Sequence, residues 1–191
     1  MDGIQSGIIN FFYWWTQKGD DILKIQIIGY AGSGKSTLAK MLGEYYNIPY
    51  LHLDNVQFYG DWEERSIEEQ TFIVDKFLTK NDNWIIDGNY SRVSSIRFEI
   101  SDITIFLNYN RLYCYRMCKK RYKEYKNIPR DSCPCKEKFD LKFKTWILFS
   151  GRTRKRRRKH LFNLNKTSGK KIVIRNKKEL DNWLKQEIFV K

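Results

Sequence analysis

The clearest chemical signal in the sequence is a glycine-rich segment near its start. Residues 29–36 read GYAGSGKS and match the pattern G-x-x-x-x-G-K-[ST]. Glycines let the backbone turn its N–H groups inward, and with the positive end of a following helix these donors form a concave polyphosphate site. In such a loop Lys35 reaches the β- and γ-phosphates of ATP, and Ser36 ligates magnesium. The pattern predicts that ATP and Mg²⁺ bind here, with the nucleotide held by Gly29, Gly32, Ser33, Gly34, Lys35, Ser36 and Thr37.

Two aspartates that follow apolar runs are candidates for contacts with the metal and with an acceptor. Asp87 follows residues 84–86, and at the carboxyl end of a strand beside the loop such a residue orients magnesium, usually through water. Asp54 follows residues 50–53, where ligands of open parallel sheets collect, so it could orient or deprotonate an acceptor hydroxyl. A capping or turn role is the structural alternative for both. His52 is interpreted as a structural, partly buried histidine.

Arginines are the natural partners of a phosphoryl group in transfer, because the guanidinium presents a planar fork of donors. Arg116 and Arg121 lie on the helix predicted after the fourth strand, Arg130 lies in the irregular stretch that follows, and Arg92 lies in the loop after Asp87. Arg92 and Arg116 are candidate substrate ligands. A solvated surface charge is the alternative for each arginine taken singly.

Four cysteines, Cys114, Cys118, Cys133 and Cys135, lie within one short stretch. No secretory leader is recognisable, so we expect a cytoplasmic protein with reduced thiols. Cys114 and Cys118 share one helical face, a spacing typical of core packing. Zinc binding by the four thiolates is the alternative, although the one-residue spacing of the second pair is unusual for zinc.

The densest positive charge is a basic run at residues 152–159, which reads RTRKRRRK. Five consecutive helical residues point in all directions around the axis, so this run is not one stripe. Either part of it lines the nucleotide cleft or it projects as a polyanion-binding patch. If six of its charges met nucleic-acid phosphates, binding would fall with salt at a log–log slope of about −4 to −5.

The elements that position these residues alternate along the chain. Apolar runs at 25–28, 50–53, 84–86, 103–107 and 172–174 predict five strands, and helix-length segments lie at about 35–46, 66–80, 110–126, 137–162 and 177–188. This alternation predicts right-handed βαβ crossovers and a parallel sheet covered on both faces. The least periodic stretch, at residues 127–136, is expected to be a flap between two helices.

Length and composition bound the remaining choices. The 191 residues suffice for one full-sized domain, and a hydrophobic fraction of 41% is that of a globular chain. The net charge of +14 favours anionic partners such as nucleotides, phosphorylated metabolites or nucleic acid. We expect an N-terminal extension at residues 1–22, a short helix packed on the domain, with membrane or partner docking as the alternative. Its apolar run is too short to span a bilayer, so no transmembrane segment is predicted.

The motifs together resemble a bacterial family named "DNA topology modulation protein", a set of adenylate-kinase-related P-loop proteins. The resemblance rests on residues 28–39 (IGYAGSGKSTLA), 51–54 (LHLD) and 84–92 (WIIDGNYSR), with Cys135 and Asp140 further on. It implies an α/β P-loop NTPase fold of nucleoside-monophosphate-kinase type, with a five-stranded parallel sheet, helices on both faces and a small lid at about 121–140 in a domain spanning 23–191. By likeness to adenylate-kinase lids, Arg121 and Arg130 are expected to clamp phosphate. The second cysteine in Cys133-Pro134-Cys135 departs from the family pattern.

We therefore expect an ATP- and magnesium-dependent phosphotransferase that acts on a small acceptor, such as a nucleoside or nucleotide. Lys35, Asp54, Arg121 and Arg130 would be its catalytic residues, and an aromatic stretch at residues 58–62 could stack a base or a sugar. The alternative is a nucleic-acid-associated ATPase or ATP-binding regulator that uses the basic run. A GTPase is disfavoured, because residues 176–179 read NKKE where guanine readers carry N-K-x-D.

Overall fold

The computed structural model describes residues 23–187, so the predicted N-terminal extension at residues 1–22 lies outside the described residues. In chain order the described part contains β1 (Lys24–Gly29), α1 (Lys35–Tyr46), β2 (Tyr50–His52), α2 (Leu53–Gln57), β3 (Phe58–Gly60), β4 (Glu63–Glu64), α3 (Ile67–Lys80), β5 (Trp84–Asp87), α4 (Ile96–Glu99), β6 (Ile103–Leu107), α5 (Arg111–Glu124), α6 (Leu141–Leu148), a 3-10 helix (Ser150–Arg152), α7 (Arg154–Lys166), β7 (Lys170–Ile174) and α8 (Lys177–Glu187).

Five of these strands form one parallel sheet in the order β2-β5-β1-β6-β7, with helices on both sides. The central strand, β1, places Ile27 beside Asp87 of β5 and Gly29 beside Leu107 of β6. Every residue of β5 and β6 is buried, as expected for strands whose two faces are both covered. The predicted α/β fold with a five-stranded parallel sheet is confirmed.

Because the five strands run in one direction, their carboxyl ends meet at one edge of the sheet. β1 leads from there into the glycine-rich loop, which we define as residues 29–36, and α1 follows the loop. β2 ends at His52, two residues before Asp54, and β5 ends at Asp87. The residues singled out by sequence for chemistry therefore arise from neighbouring strand ends.

The segment predicted as one long helix at 137–162 is instead two helices, α6 and α7, joined by a 3-10 turn. The prediction was wrong because the chain turns tightly at Gly151, where a Cβ atom would lie 2.6 Å from the carbonyl oxygen of Trp146. Thr153 then begins a new helix by accepting a hydrogen bond from the N–H of Arg156 at 3.4 Å. The break gives α7 its own direction against the sheet.

The connections after β2 and after α5 carry most of the irregular structure. A small hairpin, β3–β4, follows α2, and sequence patterning did not predict it. Residues 125–140 connect α5 to α6 and contain only one isolated bridge, between Arg130 and Cys133. This 125–140 connection covers most of the predicted lid.

Two apolar clusters hold the sheet and its helices together. The larger contains β1 and β6 residues packed against α1, α5, α7 and α8, and the smaller joins Trp84 and Ile86 of β5 to Val74 of α3. Burial of these side chains is the main favourable term for the fold. Within residues 23–187 no helix has the length and apolar character needed to cross a membrane.

Candidate functional site

The glycine-rich loop turns sharply and lies directly on α5. Gly32 has φ of 73°, and a Cβ atom there would lie 2.5 Å from the carbonyl oxygen of Cys114 and 2.7 Å from Cys118 Sγ. Only glycine fits this approach without displacing the helix beneath. The N–H of Ser33 donates to the carbonyl oxygen of Tyr30 at 3.1 Å, which closes the turn.

The loop leads into α1, and the N-terminus of this helix faces the cleft without a side-chain cap. Gly34, with φ of 90°, is the N-cap of α1 and provides no side-chain cap. No acidic residue lies in the first turn, so no carboxylate competes for the amide N–H groups there. Ser33 Oγ is buried and has no hydrogen-bond partner among the described residues. An anion at this helix end would meet unoccupied donors.

Lys35 lies at the start of α1 with its ammonium close to the loop. Its Nζ donates to the carbonyl oxygen of Tyr30 at 3.2 Å, so the side chain folds back over the loop backbone. Lys35, Ser36 and the exposed Thr37 all line the cleft, as do Gly32, Ser33 and Gly34. The nucleotide-binding residues predicted from 32 to 37 are thus together on one surface.

Asn89 anchors the base of the loop to β5. Its Nδ2 donates to the carbonyl oxygen of Gly29 at 2.6 Å, and its Oδ1 accepts from the N–H of Gly29 at 2.9 Å. Both backbone groups of Gly29 are therefore fixed, and Gly29 lies below the cleft surface. No role was predicted for Asn89 from the sequence, although its place two residues after Asp87 was a usable signal.

A buried carboxylate connects β2, β5 and α1. Asp87, only 4% exposed, accepts from Ser36 Oγ at 2.8 Å through Oδ2 and lies 2.5 Å from His52 Nδ1 through Oδ1. The two strands place His52 and Asp87 at paired positions. The structure thus brings together the predicted metal residues, Ser36 and Asp87. His52, interpreted from sequence as structural, fixes the carboxylate from its other side.

Asp54 is the second predicted carboxylate, and it lines the cleft two residues after His52. The Tyr90 hydroxyl donates to Asp54 Oδ1 at 2.6 Å, and both residues line the cleft. Burial and the neighbouring Asp54 charge raise the pKa of Tyr90 well above its ordinary value of 10, so the phenol remains a donor. Phe58 and Trp62 pack edge to face, with ring centroids 5.2 Å apart, and line the same region.

Two arginines above the loop share one buried acid. Arg121 Nε lies 3.0 Å and Arg130 Nε 2.6 Å from the same Oε1 of Glu137, whose side chain is 3% exposed. Arg130 Nη1 also donates to Ser132 Oγ at 2.6 Å. One carboxylate balances two guanidinium groups, so a positive charge remains at the cleft surface. These are the arginines predicted as phosphate clamps, and both line the cleft.

The basic residues of the run divide into three sets. Arg152 lies over the Tyr30 ring at 3.6 Å and donates to the carbonyl oxygen of Tyr109 at 2.6 Å. Arg156 and Lys159 line the cleft. The remaining basic residues are exposed and outside the cleft lining: Arg154, Lys155, Arg157 and Arg158. The run therefore has residues for both functions considered for it, which are lining the nucleotide cleft and binding a polyanion.

His160 is a cleft residue that sequence reasoning missed. It is 8% exposed, lies edge-on to Tyr30 with centroids 5.1 Å apart, and has no described partner for Nδ1. Burial, followed by the charges of Lys35, Lys159 and the nearby arginines, lowers its pKa to about 4. The ring is therefore neutral at neutral pH. A histidine amid a basic run offered no sequence signal for this position.

Most of these side chains line one cleft of about 1120 Å³, whereas Asp87, Glu137 and Arg152 are not among its lining residues. Its lining joins the loop, the strand ends, α5, the 125–140 connection and α7. Arg92 and Arg116, predicted to bind substrate, are exposed and are not among the described residues that line it. The structure brings the remaining predicted catalytic residues, Lys35, Asp54, Arg121 and Arg130, to the cleft.

The cysteines separate into two buried pairs. Cys114 and Cys118 lie in the large apolar cluster under the loop, whereas Cys133 and Cys135 pack with Phe58 in a smaller one. Burial raises the pKa of Cys118 and of Cys133 to about 11, so both stay thiols at neutral pH. Residues 23–187 contain no group of three or more histidine, cysteine or acidic side chains that could hold a metal ion.

The stretch at residues 176–179, weighed as a guanine reader, has a structural role. Asn176 Oδ1 accepts from the N–H of Glu179 at 2.9 Å, and Glu179 Oε2 accepts from the N–H of Arg175 at 2.7 Å. These reciprocal contacts begin α8 in the manner of a capping box. The asparagine and the glutamate are thereby occupied within the chain.

Among known proteins, similarity to the chain is found in solved structures. No family model matches it, and no curated protein matches it. Among solved structures, an uncharacterized protein from Eubacterium ventriosum ATCC 27560 is similar, with 14% sequence identity and a TM-score of 0.48. That match covers 87% of this chain and 98% of the other. A likeness this distant assigns no function.

Proposed function

We propose that the chain is a P-loop phosphotransferase with a fold of nucleoside-monophosphate-kinase type, which uses ATP and magnesium to phosphorylate a small acceptor. The observation that carries the proposal is the uncapped N-terminus of α1 behind the glycine-rich loop, with Lys35 above it and the Ser36–Asp87 contact beside it. Helix amides, a lysine and a hydroxyl–carboxylate pair at one strand edge are the groups that polyphosphate and magnesium require.

The residues present fit both ligands. Gly34 leaves open space where a Cβ atom would lie, and Ser33 Oγ is an unpartnered buried polar atom at the same turn. Ser36 and Asp87 supply hard oxygen donors 2.8 Å apart, which suit magnesium, with the carboxylate acting directly or through water. Magnesium bound there would withdraw charge from the phosphates and hold them in one orientation.

The chain's own residues would supply positioning and charge during transfer. Lys35, Arg121 and Arg130 would balance the negative charge of the transferring group, since all three line the cleft. Asn89 and His52 would keep the loop and Asp87 in place through contacts that already exist. Closure of the 125–140 connection over the cleft would exclude water and favour transfer to the acceptor over hydrolysis.

The test is ADP release from ATP with magnesium across nucleosides, nucleoside monophosphates and small phosphorylatable metabolites. One acceptor that raises turnover at least about tenfold, together with its phosphorylated product, is the expected result, because a bound acceptor replaces water as the nucleophile. ATP turnover that no acceptor stimulates, with free phosphate as the product, contradicts the proposal.

A second candidate function, ATP-dependent action on nucleic acid, is favoured by the part of the basic run that lies outside the cleft. Arg154, Lys155, Arg157 and Arg158 are outside the cleft lining and so remain open to a polyanion. Four phosphate contacts would give a log–log salt slope of about −3 to −4 for duplex DNA. DNA-stimulated ATP hydrolysis that disappears when these four residues are replaced by alanine would establish this function.

A further inference from the structure

The end of the cleft around Asp54 is built from an acid, a phenol and aromatic rings. Asp54 receives its hydrogen bond from Tyr90, and Phe58 and Trp62 form the neighbouring wall. We call these four residues the acceptor end. The Trp62 indole is held by the 125–140 connection, since its Nε1 donates to the carbonyl oxygen of Lys136 at 3.1 Å. The wall is therefore an organised surface for a flat ring.

Arginines that could carry a phosphorylated acceptor here are already used within the fold. Residues 50–99 contain three arginines, Arg65, Arg92 and Arg97. Arg65 Nη1 donates to the carbonyl oxygens of Asn55 at 2.9 Å, Val56 at 3.0 Å and Phe58 at 2.6 Å. Its guanidinium thus closes the end of α2 and is not among the cleft-lining residues.

The guanidinium of Arg97 is used even more fully by hydrogen bonds within the fold, and Arg92 lies outside the cleft lining. Arg97 is 0% exposed, and its guanidinium donates to Gln26 Oε1 at 2.9 Å and to the carbonyl oxygens of Tyr90 at 3.0 Å and Ser94 at 3.1 Å. Its Nη1 also donates to the carbonyl oxygen of Val93. Arg92 is exposed and outside the cleft lining.

The cations that do line this side of the cleft have other partners. Lys40 Nζ lies 3.5 Å from Asp131, and its side chain is 48% exposed. Arg121 and Arg130 share Glu137, and the proposed function assigns both to the transferring phosphoryl group. A phosphate on the acceptor would therefore meet the Asp54 carboxylate without a guanidinium of its own. Like charges brought together in a cleft oppose binding.

Together these contacts point to one class of acceptor, an inference that rests on the proposed phosphotransferase function. We propose that the acceptor is an uncharged, hydroxyl-bearing molecule with a flat ring, of the nucleoside type, and that phosphorylated acceptors such as nucleoside monophosphates are excluded by Asp54. Asp54 Oδ2 has no hydrogen bond to another described residue and can accept from the acceptor hydroxyl.

The transfer step balances within this site. The acceptor hydroxyl oxygen forms a bond to the γ-phosphorus of ATP, and the bond from that phosphorus to the β,γ-bridging oxygen breaks. ADP leaves with the bridging oxygen, and the hydroxyl proton passes to the Asp54 carboxylate and from there to water. Tyr90 holds Oδ1 as a donor, so the proton is received at the other oxygen.

The first test compares matched acceptors that differ only in a phosphate. Uridine, cytidine, thymidine, adenosine and guanosine are each assayed beside their 5′-monophosphates, with ATP and magnesium, by ADP release and product chromatography. At least one nucleoside should be phosphorylated at least about tenfold faster than its monophosphate, because the monophosphate brings a like charge to Asp54. If no nucleoside exceeds its monophosphate, the inference fails.

The second test removes the charge of the Asp54 side chain and keeps its shape. Asp54→Asn should lower transfer to the preferred nucleoside at least about 100-fold, the scale of a lost general base. The same substitution should strengthen binding of the matching monophosphate, a change that a purely structural role would not produce. Asp82→Asn, an exposed aspartate outside the cleft, is the matched control and should change neither quantity.

Separate readouts distinguish failure of this inference from failure of the proposed function. Equilibrium binding of ATP with magnesium does not depend on the acceptor. If ATP binds and a monophosphate is the better acceptor, the phosphotransferase function stands and the uncharged acceptor class is wrong. If ATP does not bind at all, the proposed function is wrong, and the acceptor inference is wrong with it.

Discussion

The two ends of the cleft use their positive charge in different ways. At the nucleotide end, Lys35, Arg156 and Lys159 line the cleft, and the amides of α1 face the same space. At the acceptor end, Arg65 and Arg97 hold backbone carbonyls and do not reach the cleft. A net charge of +14 therefore says little about where an anion binds. What decides is whether each guanidinium reaches the cleft, because Arg156 lines it although its Nε also donates to the carbonyl oxygen of Ser150 at 3.1 Å.

The largest expected effect is on stability. It tests whether the arginines near the acceptor end hold the fold together. Arg97→Ala removes a buried cation with four hydrogen-bond acceptors and leaves a cavity, which should lower the free energy of unfolding by about 3–5 kcal/mol. Urea denaturation measures the change. Arg92→Ala, at an exposed position in the same loop region, should stay within about 0.5 kcal/mol. Equal effects of the two variants would contradict the distinction between a buried, hydrogen-bonded arginine and an exposed one.

A smaller effect is expected in the pH dependence of the free energy of unfolding, and it depends on His160 at the nucleotide end. The folded pKa of His160, about 4, lies below the ordinary value of 6.5, so between these values the unfolded chain binds more protons. The free energy of unfolding should therefore fall as the pH decreases from 6.5 towards 4. His160→Phe keeps a neutral ring against Tyr30 and should lose about 2 kcal/mol less than the unchanged protein between pH 7.5 and 5. If the free energy of unfolding changes with pH equally in the two proteins, His160 has an ordinary pKa in the folded state.

The smallest effect compares neighbours within the basic run. Arg156 lines the cleft, whereas Arg157 is exposed outside it. Arg156→Ala should weaken ATP binding about tenfold, the value of one charge-assisted contact, and the loss should shrink at high salt. Arg157→Ala should change the dissociation constant less than about twofold. Titration calorimetry at two salt concentrations measures both, and equal losses would place the whole run outside the site.

The sequence was sufficient for the sheet and for the residues at its edge. Each strand of the five-stranded sheet contains a short apolar run, and the loop, Ser36 and Asp87 lie at or after strand ends, so parallel topology alone brings them together. One pattern failed, at residues 137–162, because the hydrophobic and basic residues continue across the turn at Gly151. Helical periodicity does not report a contact such as that of Gly151 with the Trp146 backbone.

The residues that were missed depend on contacts between distant elements. His160 reaches Tyr30 only because α7 begins again after the turn. Arg97 resembles any surface arginine in sequence, and its burial follows from Gln26 on the central strand. A glutamine in an otherwise apolar strand was the available signal, since a buried polar side chain needs a partner. Arg92 and Arg116 were chosen by residue type alone, and the structure does not bring them to the cleft.

ATP binding by the unchanged protein and by Lys35→Ala tests the account's central claim most directly. Calorimetric titration of ATP with magnesium should show one site, and Lys35→Ala should weaken it at least about 100-fold while the fold is retained. Lys80→Ala, an exposed lysine at the end of α3, is the matched control and should bind as the unchanged protein does. Equal ATP affinity in a folded Lys35→Ala protein would contradict a nucleotide site on the glycine-rich loop.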